Sequence, residues 1–360
     1  MQENLTKPDY RVRLFLSVDL TGSTQFKSQE GKTNFDWLKI FQRFYGEFPC
    51  EFAKNYSKIC EDITEICDLE RKSAPKVWKT IGDEILFVNR INSITHLGAC
   101  ITAFSKTLID FGTEINSAHS LNTKGNGWIA AFPHPNCSIK LSRDNLEDPL
   151  SGKNDILTEE FEKQVDENPH EFDFLGKGID GGFRISRNAT IDTFTISPAL
   201  ALLLCQAKRN KDTTKFNCDL YFHEMQQLKG VVNNNPYPII SIDTNRDNRK
   251  KEINELQSNL LGSPKNTDND RLQKYLEKYI DYHGIEKPQL RLFSSKSKIS
   301  YPEHYHNYIE KWELEKEKIQ KAEKNEEESI GIDMSESNTK VMTKELIQIL
   351  LESFKIDRKD

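Results

Sequence analysis

Residues 78–87, Trp78-Lys79-Thr80-Ile81-Gly82-Asp83-Glu84-Ile85-Leu86-Phe87, constrain the fold of this chain more than any other segment. Two β-prone runs, Val77–Lys79 and Ile85–Val88, flank Gly-Asp, a dipeptide that turns a chain back on itself. A hairpin at this point pairs its strands antiparallel and argues against a doubly wound parallel sheet. Val12–Val18 reads as a buried strand. From Thr33 to about Ile59, Phe35, Leu38, Phe41, Phe44 and Phe48 recur at helical spacing, with Pro49 expected to break or kink that helix. Ser93 reads as the N-cap of a second helix, because Ile94, Leu97, Ile101, Phe104, Leu108, Phe111 and Ile115 follow three and four apart. Trp128–Phe132 is strand-like. The order strand, helix, strand, strand, helix, strand predicts an α+β, ferredoxin-like fold, with helices on one face of an antiparallel sheet.

Farther along, Pro133 to about Pro169 reads as polar and loop-rich. Glu171–Phe174 leads into a glycine-rich turn and a helix from about Ile179 to Asn188. Thr193–Ile196 is a strand candidate, and Pro198 opens the apolar helix Ala199–Ala207. Leu228-Lys229-Gly230 and Tyr237–Ile242 are expected to close the sheet. Residues 246–271, rich in Asn, Asp and Lys, read as a polar linker between a catalytic domain (1–245) and a charged helical extension (272–360). That extension holds three helical runs, Leu272–Tyr282, Tyr308–Glu328 and Met342–Phe354.

Fifty basic against 56 acidic residues give a net charge of −6, which offers no global field for nucleic acid or a membrane surface. No apolar run approaches the ~20 residues that span a bilayer. Met1–Asp9 is polar, without the apolar core of a signal peptide. Seven cysteines, an odd number with no Cys-x-x-Cys, suit free thiols in a reducing cytoplasm. The expectation is a cytoplasmic protein with neither nucleic acid nor membrane as partner. His304 and His306 lack the spaced Cys or second His pair of a zinc site and read as surface histidines.

Three segments carry chemistry. Leu14–Val18 is an apolar run ending in Asp19, followed by the polar turn Leu20-Thr21-Gly22-Ser23-Thr24. Asp83 stands at the hairpin tip. Acids at a strand end and at a hairpin tip can share cations that polarise a phosphoryl oxygen. Each acid alone is also ordinary turn chemistry. The third segment is Asp173-Phe174-Leu175-Gly176-Lys177-Gly178-Ile179-Asp180-Gly181-Gly182-Phe183-Arg184. Asp180 and Arg184, four apart on a helix, share one face and act on one small volume, or form a plain helical ion pair. An aspartyl-nucleophile phosphohydrolase also suits Asp19 with Thr21 nearby, but it needs the parallel sheet that the hairpin argues against.

Together the three segments resemble the class III nucleotidyl cyclases. That family has a metal-binding Asp ending its first strand, a second in a K-T-x-G-D hairpin, and a later D-x-W-G-x-x-V-N-x-x-x-R. Here these read V-D-L-T-G-S-T, K-T-I-G-D-E and D-F-L-G-K-G-I-D-G-G-F-R, the last without gaps, and the resemblance covers roughly residues 10–245. It implies that Asp19 and Asp83, with the Leu20 carbonyl, hold two Mn²⁺ or Mg²⁺ ions per site. Lys79 and Asp173 fall where the family reads the base. Asp180 and Arg184 fall where it positions the ribose and stabilises the transition state, and Lys229 where a lysine touches the terminal phosphates. The reaction implied is attack of a 3′-hydroxyl on the α-phosphorus with loss of pyrophosphate, at composite sites of a head-to-tail homodimer.

The departures are Asp180 for Asn, Leu175 for Trp, and a longer segment between the metal acids, about Lys54–Lys76. This variant, with its C-terminal helical extension, is similar to the Pycsar pyrimidine cyclases of bacterial antiphage defence, whose cyclic UMP or cyclic CMP activates a separate effector. Lys79 donates and an ionised Asp173 accepts, a pair that suits adenine, cytosine and uracil alike. The variant pattern points to a pyrimidine, and UTP is taken ahead of CTP. The alternatives are a cytidylate cyclase, an adenylate cyclase, or a nucleotide-binding sensor without turnover.

Overall fold

The computed structural model describes residues 5–28, 33–140, 157–260, 267–293 and 301–333. In chain order the first half contains β1 (Arg11–Thr21), α1 (Ser23–Lys27), α2 (Asn34–Glu61), α3 (Asp68–Arg71), β2 (Lys76–Ile81), β3 (Glu84–Ile91), α4 (Ile94–His119), β4 (Asn122–Phe132) and β5 (Cys137–Lys140). Next come α5 (Glu159–Glu167), β6 (Phe172–Leu175), α6 (Lys177–Ile185), β7 (Thr193–Ile196), α7 (Pro198–Arg209), α8 (Lys211–Thr214), β8 (Leu220–Gln227) and β9 (Pro236–Asp243). Helices α9 (Asn248–Leu260), α10 (Asn269–His283) and α11 (Glu303–Asp333) follow.

Seven strands form one sheet in the order β2-β3-β1-β4-β7-β9-β8, in which only β4 and β7 run parallel. The first four strands, with α2 and α4 as crossovers, give the split βαβ arrangement of a ferredoxin-like fold. The expected α+β class, with a mostly antiparallel sheet, is the one observed. The antiparallel β2–β3 hairpin leaves no place for the doubly wound sheet of a phosphohydrolase.

Strand alternation assigns the two faces of the sheet. Leu16 and its neighbour Phe87 point toward α2 and α4, where Phe44, Phe48, Phe52, Phe104 and Phe111 pack in tilted and edge-to-face contacts. Helix α4 begins as expected, with the Ser93 hydroxyl accepting from the His96 backbone N–H. Helix α2 does not break at Pro49: it runs unbroken from Asn34 to Glu61. A mid-helix proline costs about 3 kcal/mol, but Phe44, Phe48, Phe52 and Tyr56 are all buried along one stripe, and each contributes about 1.5–3 kcal/mol.

The other face carries Phe15, stacked on Trp128 at 5.3 Å, with Trp78, Phe132 and Phe174 against it. Part of the cover of this face comes from the stretch read as loop, which supplies β5 and α5. Strands β5 and β6 pair there as a small second sheet, and α5 supplies Glu159, Glu162 and Asp166 to the buried Arg11 and Arg13 of β1. The Arg13 guanidinium also lies 4.7 Å from the Phe132 ring centre. The tripeptide Leu228-Lys229-Gly230 is not a sheet strand. It lies in the connection after β8, with Gly230 at a φ of 77°, and the edge strand that closes the sheet beside β9 is Leu220–Gln227.

The segment read as a linker starts with Arg246, whose guanidinium donates to the Leu108 and Thr123 carbonyls at 2.7 and 2.9 Å, and continues as α9. Leu272–Tyr282 falls in α10, which packs on α7, and Tyr308–Glu328 in α11. Met342–Phe354 lies outside the described residues. The chain divides into two compact units, Pro8–Asn307 and a second of Met1–Lys7 with Tyr308–Asp360. In the second, Lys316 donates to the Leu5 carbonyl at 2.9 Å and lies over the Trp312 ring. No described helix is long and apolar enough to cross a membrane.

Residues 285–292 return to the sheet of the larger unit. Arg291 and Leu292 carbonyls accept from Ile94 and Thr95, and a Glu286 carboxylate oxygen accepts from Ala131 N–H at 3.1 Å. That carboxylate is shut away from water, which pushes its pKa up from 4.5 to about 8. A carboxyl raised on folding contributes stability below its ordinary pKa and loses it as pH rises through the raised value. Wild-type protein is therefore expected to lose stability between pH 4.5 and about 8 relative to Glu286→Gln, whose amide oxygen still accepts from Ala131. Urea midpoints across that range check it. A constant difference between the two proteins contradicts it.

Candidate active site

The end of β1 and the tip of the β2–β3 hairpin are tied together. Gly82 and Asp83 are the two turn residues, and Gly82 takes a φ of 62°, the left-handed value that a primed hairpin turn draws from glycine. Leu20 N–H donates to the Asp83 carbonyl at 3.0 Å, and the Ser23 hydroxyl donates to the Asp83 carboxylate. Tyr45 braces the same turn through the Gly82 carbonyl. Asp19, one residue before Leu20, is thereby brought beside Asp83, although 63 residues separate them in the chain.

Asp19 sits in register with Glu84 on one side and Lys124 on the other. Its Oδ2 lies 3.1 Å from Lys124 Nζ, while Glu84 accepts from the Ser17 hydroxyl. Burial pushes the Asp19 pKa up, Lys124 opposes this, and the neighbouring Asp83 adds to it. Burial likewise raises Glu84, with Ser17 opposing and Asp19 adding. Carboxylates held this close favour a bound cation. Asp19 and Asp83 are hard oxygen donors, and the Leu20 carbonyl lies between them in sequence. Among the described residues no group of three or more His, Cys, Asp or Glu side chains is arranged to hold a metal ion. A two-carboxylate set still fits Mg²⁺ or Mn²⁺, which take one or two carboxylates and complete their shell with water and substrate phosphates.

Lys79 and Asp173, 94 residues apart, meet directly: Lys79 Nζ is 2.9 Å from Asp173 Oδ1 and 4.0 Å from the Trp78 ring centre. Asp173 Oδ1 also accepts from Phe174 N–H, and the Trp78 indole donates to the Phe172 carbonyl, so β6 is fastened to β2 at this point. Helix α6 lies on the Trp128 side of the sheet. Gly182 presses on the indole so closely that a Cβ there would overlap it, and Asn126 donates weakly to the Gly182 carbonyl at 3.4 Å.

Both Asp180 and Arg184 are exposed on α6, with no hydrogen bond or ion pair to each other or to another described residue. The helical ion pair is thus absent. Lys229 is exposed in the turn after β8. No hydrogen bond or ion pair links Asp19 or Asp83 to Lys79, Asp173, Asp180, Arg184 or Lys229 among the described residues. Lys124, Ser17, Ser23 and Glu84 were not singled out from the sequence. Glu84 and Ser17 carried a signal, being two residues from Asp19 or adjacent to Asp83; Lys124 carried none, because only the β1–β4 register brings it to Asp19.

No family model matches this chain, and no curated protein matches it. Among solved structures it is similar to the adenylyl cyclase CyaB from P. aeruginosa, at 9% identity and a TM-score of 0.42, over 65% of this chain and 94% of that one. A bacterial light-regulated adenylyl cyclase matches at 10% identity and a TM-score of 0.41, over 66% and 92% of the two chains. The guanylyl cyclase domain of the RhoGC fusion protein from the aquatic fungus Blastocladiella emersonii matches at 12% and 0.34, over 66% and 98%. Similarity at this level decides neither activity nor substrate.

Proposed function

We propose that this chain is a nucleotide cyclase (a phosphorus–oxygen lyase) that converts UTP to 3′,5′-cyclic UMP and pyrophosphate. The observation that carries this reading is the fastening of Asp19 to Asp83 through Leu20 and Ser23, which assembles a two-carboxylate site from two distant segments. A divalent ion bound there supplies charge neutralisation on the phosphates and acidifies a nearby hydroxyl. The chain's own groups do the rest. Lys79 and Asp173, already paired, exchange each other for the hydrogen-bonding edge of a base. Arg184, with no hydrogen bond or ion pair among the described residues, offsets charge on the reacting phosphorus. Asp180, an acid where an amide is expected, accepts from a ribose hydroxyl or orients Arg184 rather than approaching the phosphate. Lys229 faces the terminal phosphates.

Under this reading two protomers build two equivalent sites, with the acids from one and Lys79, Asp173, Asp180 and Arg184 from the other. Residues 1–245 form the catalytic domain, and the product acts as a second messenger on a separate effector, as in antiphage defence. Purified protein incubated with ATP, GTP, CTP or UTP and Mn²⁺ tests the activity, with products identified by mass. Cyclic UMP with pyrophosphate is the expected result. Cyclic CMP moves the substrate to CTP, cyclic AMP removes the pyrimidine and defence readings, and no cyclic product from any nucleotide overturns the activity.

A further inference from the structure

Lys124 projects from β4 directly across the ladder from Asp19, and on the far side of Asp19 the ladder places Glu84. Asp83 completes the group. Three carboxylates lie near one ammonium, a local excess of negative charge that favours a cation at the Asp19–Asp83 pair. Among the described residues Lys124 is the cation paired with Asp19, at 3.1 Å from Oδ2, and both side chains reach solvent. A lysine ammonium is a compact point charge on a flexible four-carbon stem, so it can leave a carboxylate without backbone movement.

We propose that Lys124 is a tethered counter-ion that occupies the cation-facing side of Asp19 in the nucleotide-free protein and leaves it when a divalent ion binds. This rests on the two-carboxylate metal reading given above. Two consequences follow from competition for one carboxylate. The nucleotide-free protein binds metal more weakly than its acids alone would. Once displaced, Lys124 is a free cation beside the site, so an anionic triphosphate that takes it also favours the metal, and the two bind with positive coupling. Lys124 is thus a positioning residue that links metal loading to substrate arrival.

The test uses Mn²⁺ alone, with free and bound ion distinguished by electron paramagnetic resonance on the full chain without nucleotide. Lys124→Gln is expected to bind Mn²⁺ up to roughly fivefold more tightly than wild type, the upper end for a partly exposed ion pair. Lys124→Arg, which keeps the charge, should stay near wild type. Asp19→Asn should weaken binding in both backgrounds. Unchanged or weaker binding by Lys124→Gln, with Asp19→Asn still weakening it, overturns the role of Lys124 alone. No effect of Asp19→Asn overturns the metal reading with it. A measurement on the unaltered sequence keeps the proposal open to refutation if Lys124→Gln does not fold. With ¹⁵N-lysine labelling, the Lys124 side-chain resonance should move as Mg²⁺ is added, and a resonance that stays still through saturation refutes the displacement.

Discussion

Asp19→Ala or Asp83→Ala is expected to lower cyclic-nucleotide formation by at least about a thousandfold while the protein stays folded. The magnitude follows from the several kcal/mol that a bound divalent ion contributes at a phosphoryl centre, each 1.4 kcal/mol being tenfold in rate. The fold is expected to survive because neither side chain belongs to the core: Asp19 and Asp83 are both partly exposed, and the apolar packing of β1 lies at Leu14, Phe15, Leu16 and Val18. Removing Asp19 also removes repulsion from Asp83 and Glu84, which offsets the lost ion pair with Lys124. Urea midpoints close to wild type, together with loss of the mass-identified product, are the combination that supports the assignment. Near-wild-type turnover in either variant removes both acids from the chemistry.

The first half of the fold was legible because its signals are local. The Gly82-Asp83 turn, the seven apolar positions of α4 and the Ser93 cap each need only neighbours in sequence, and each appears where expected. Pro49 leaves the helix unbroken for a physical reason. Its local cost is real, but Phe44, Phe48, Phe52 and Tyr56 continue one buried stripe across it, and tertiary packing outweighs a single lost hydrogen bond. The cover of the second face was hidden by polarity. Helix α5 carries Glu159, Glu162 and Asp166, which read as a solvated stretch until Arg11 and Arg13 are seen to be buried on β1. Two arginines alternating within a buried strand demand carboxylates, and that demand was the available signal. Strand β8 escaped because Leu220–Gln227 has an exposed, polar edge position and little alternation.

The same division holds at the candidate site. Asp19, Asp83, Lys79 and Asp173 were found by motif, and the structure brings them together in two pairs, the acids with each other and the lysine with Asp173. Lys124 was out of reach, since nothing near residue 124 announces a role and its proximity to Asp19 is a product of strand register. The charge at Asp180 is the opposite case. The sequence announced the substitution, and the structure leaves that side chain exposed and paired with none of the described residues, so its meaning depends on what approaches it.

That dependence sets the second large effect. Arg184→Ala should be nearly neutral for stability, within about 0.5 kcal/mol, because the guanidinium is exposed and pairs with none of the described residues. It should nevertheless lower turnover by about a hundredfold or more, the scale for losing one preorganised group that offsets transition-state charge. If acids and arginine come from different protomers, Asp19→Ala and Arg184→Ala complement each other. In a mixed dimer one site receives both defects and the other receives none. Equal mixing makes about half of the dimers mixed, and half of their sites intact, so activity should return to roughly a quarter of wild type. Two differently tagged copies, purified in succession, isolate the mixed dimer and should show about half of wild-type activity per dimer. Mixed dimers that stay inactive place Arg184 and Asp19 in the same site of a single chain. Asp180 and Arg184 of α6, which pair with none of the described residues, would then need a substrate, not a second protomer, to give them a role.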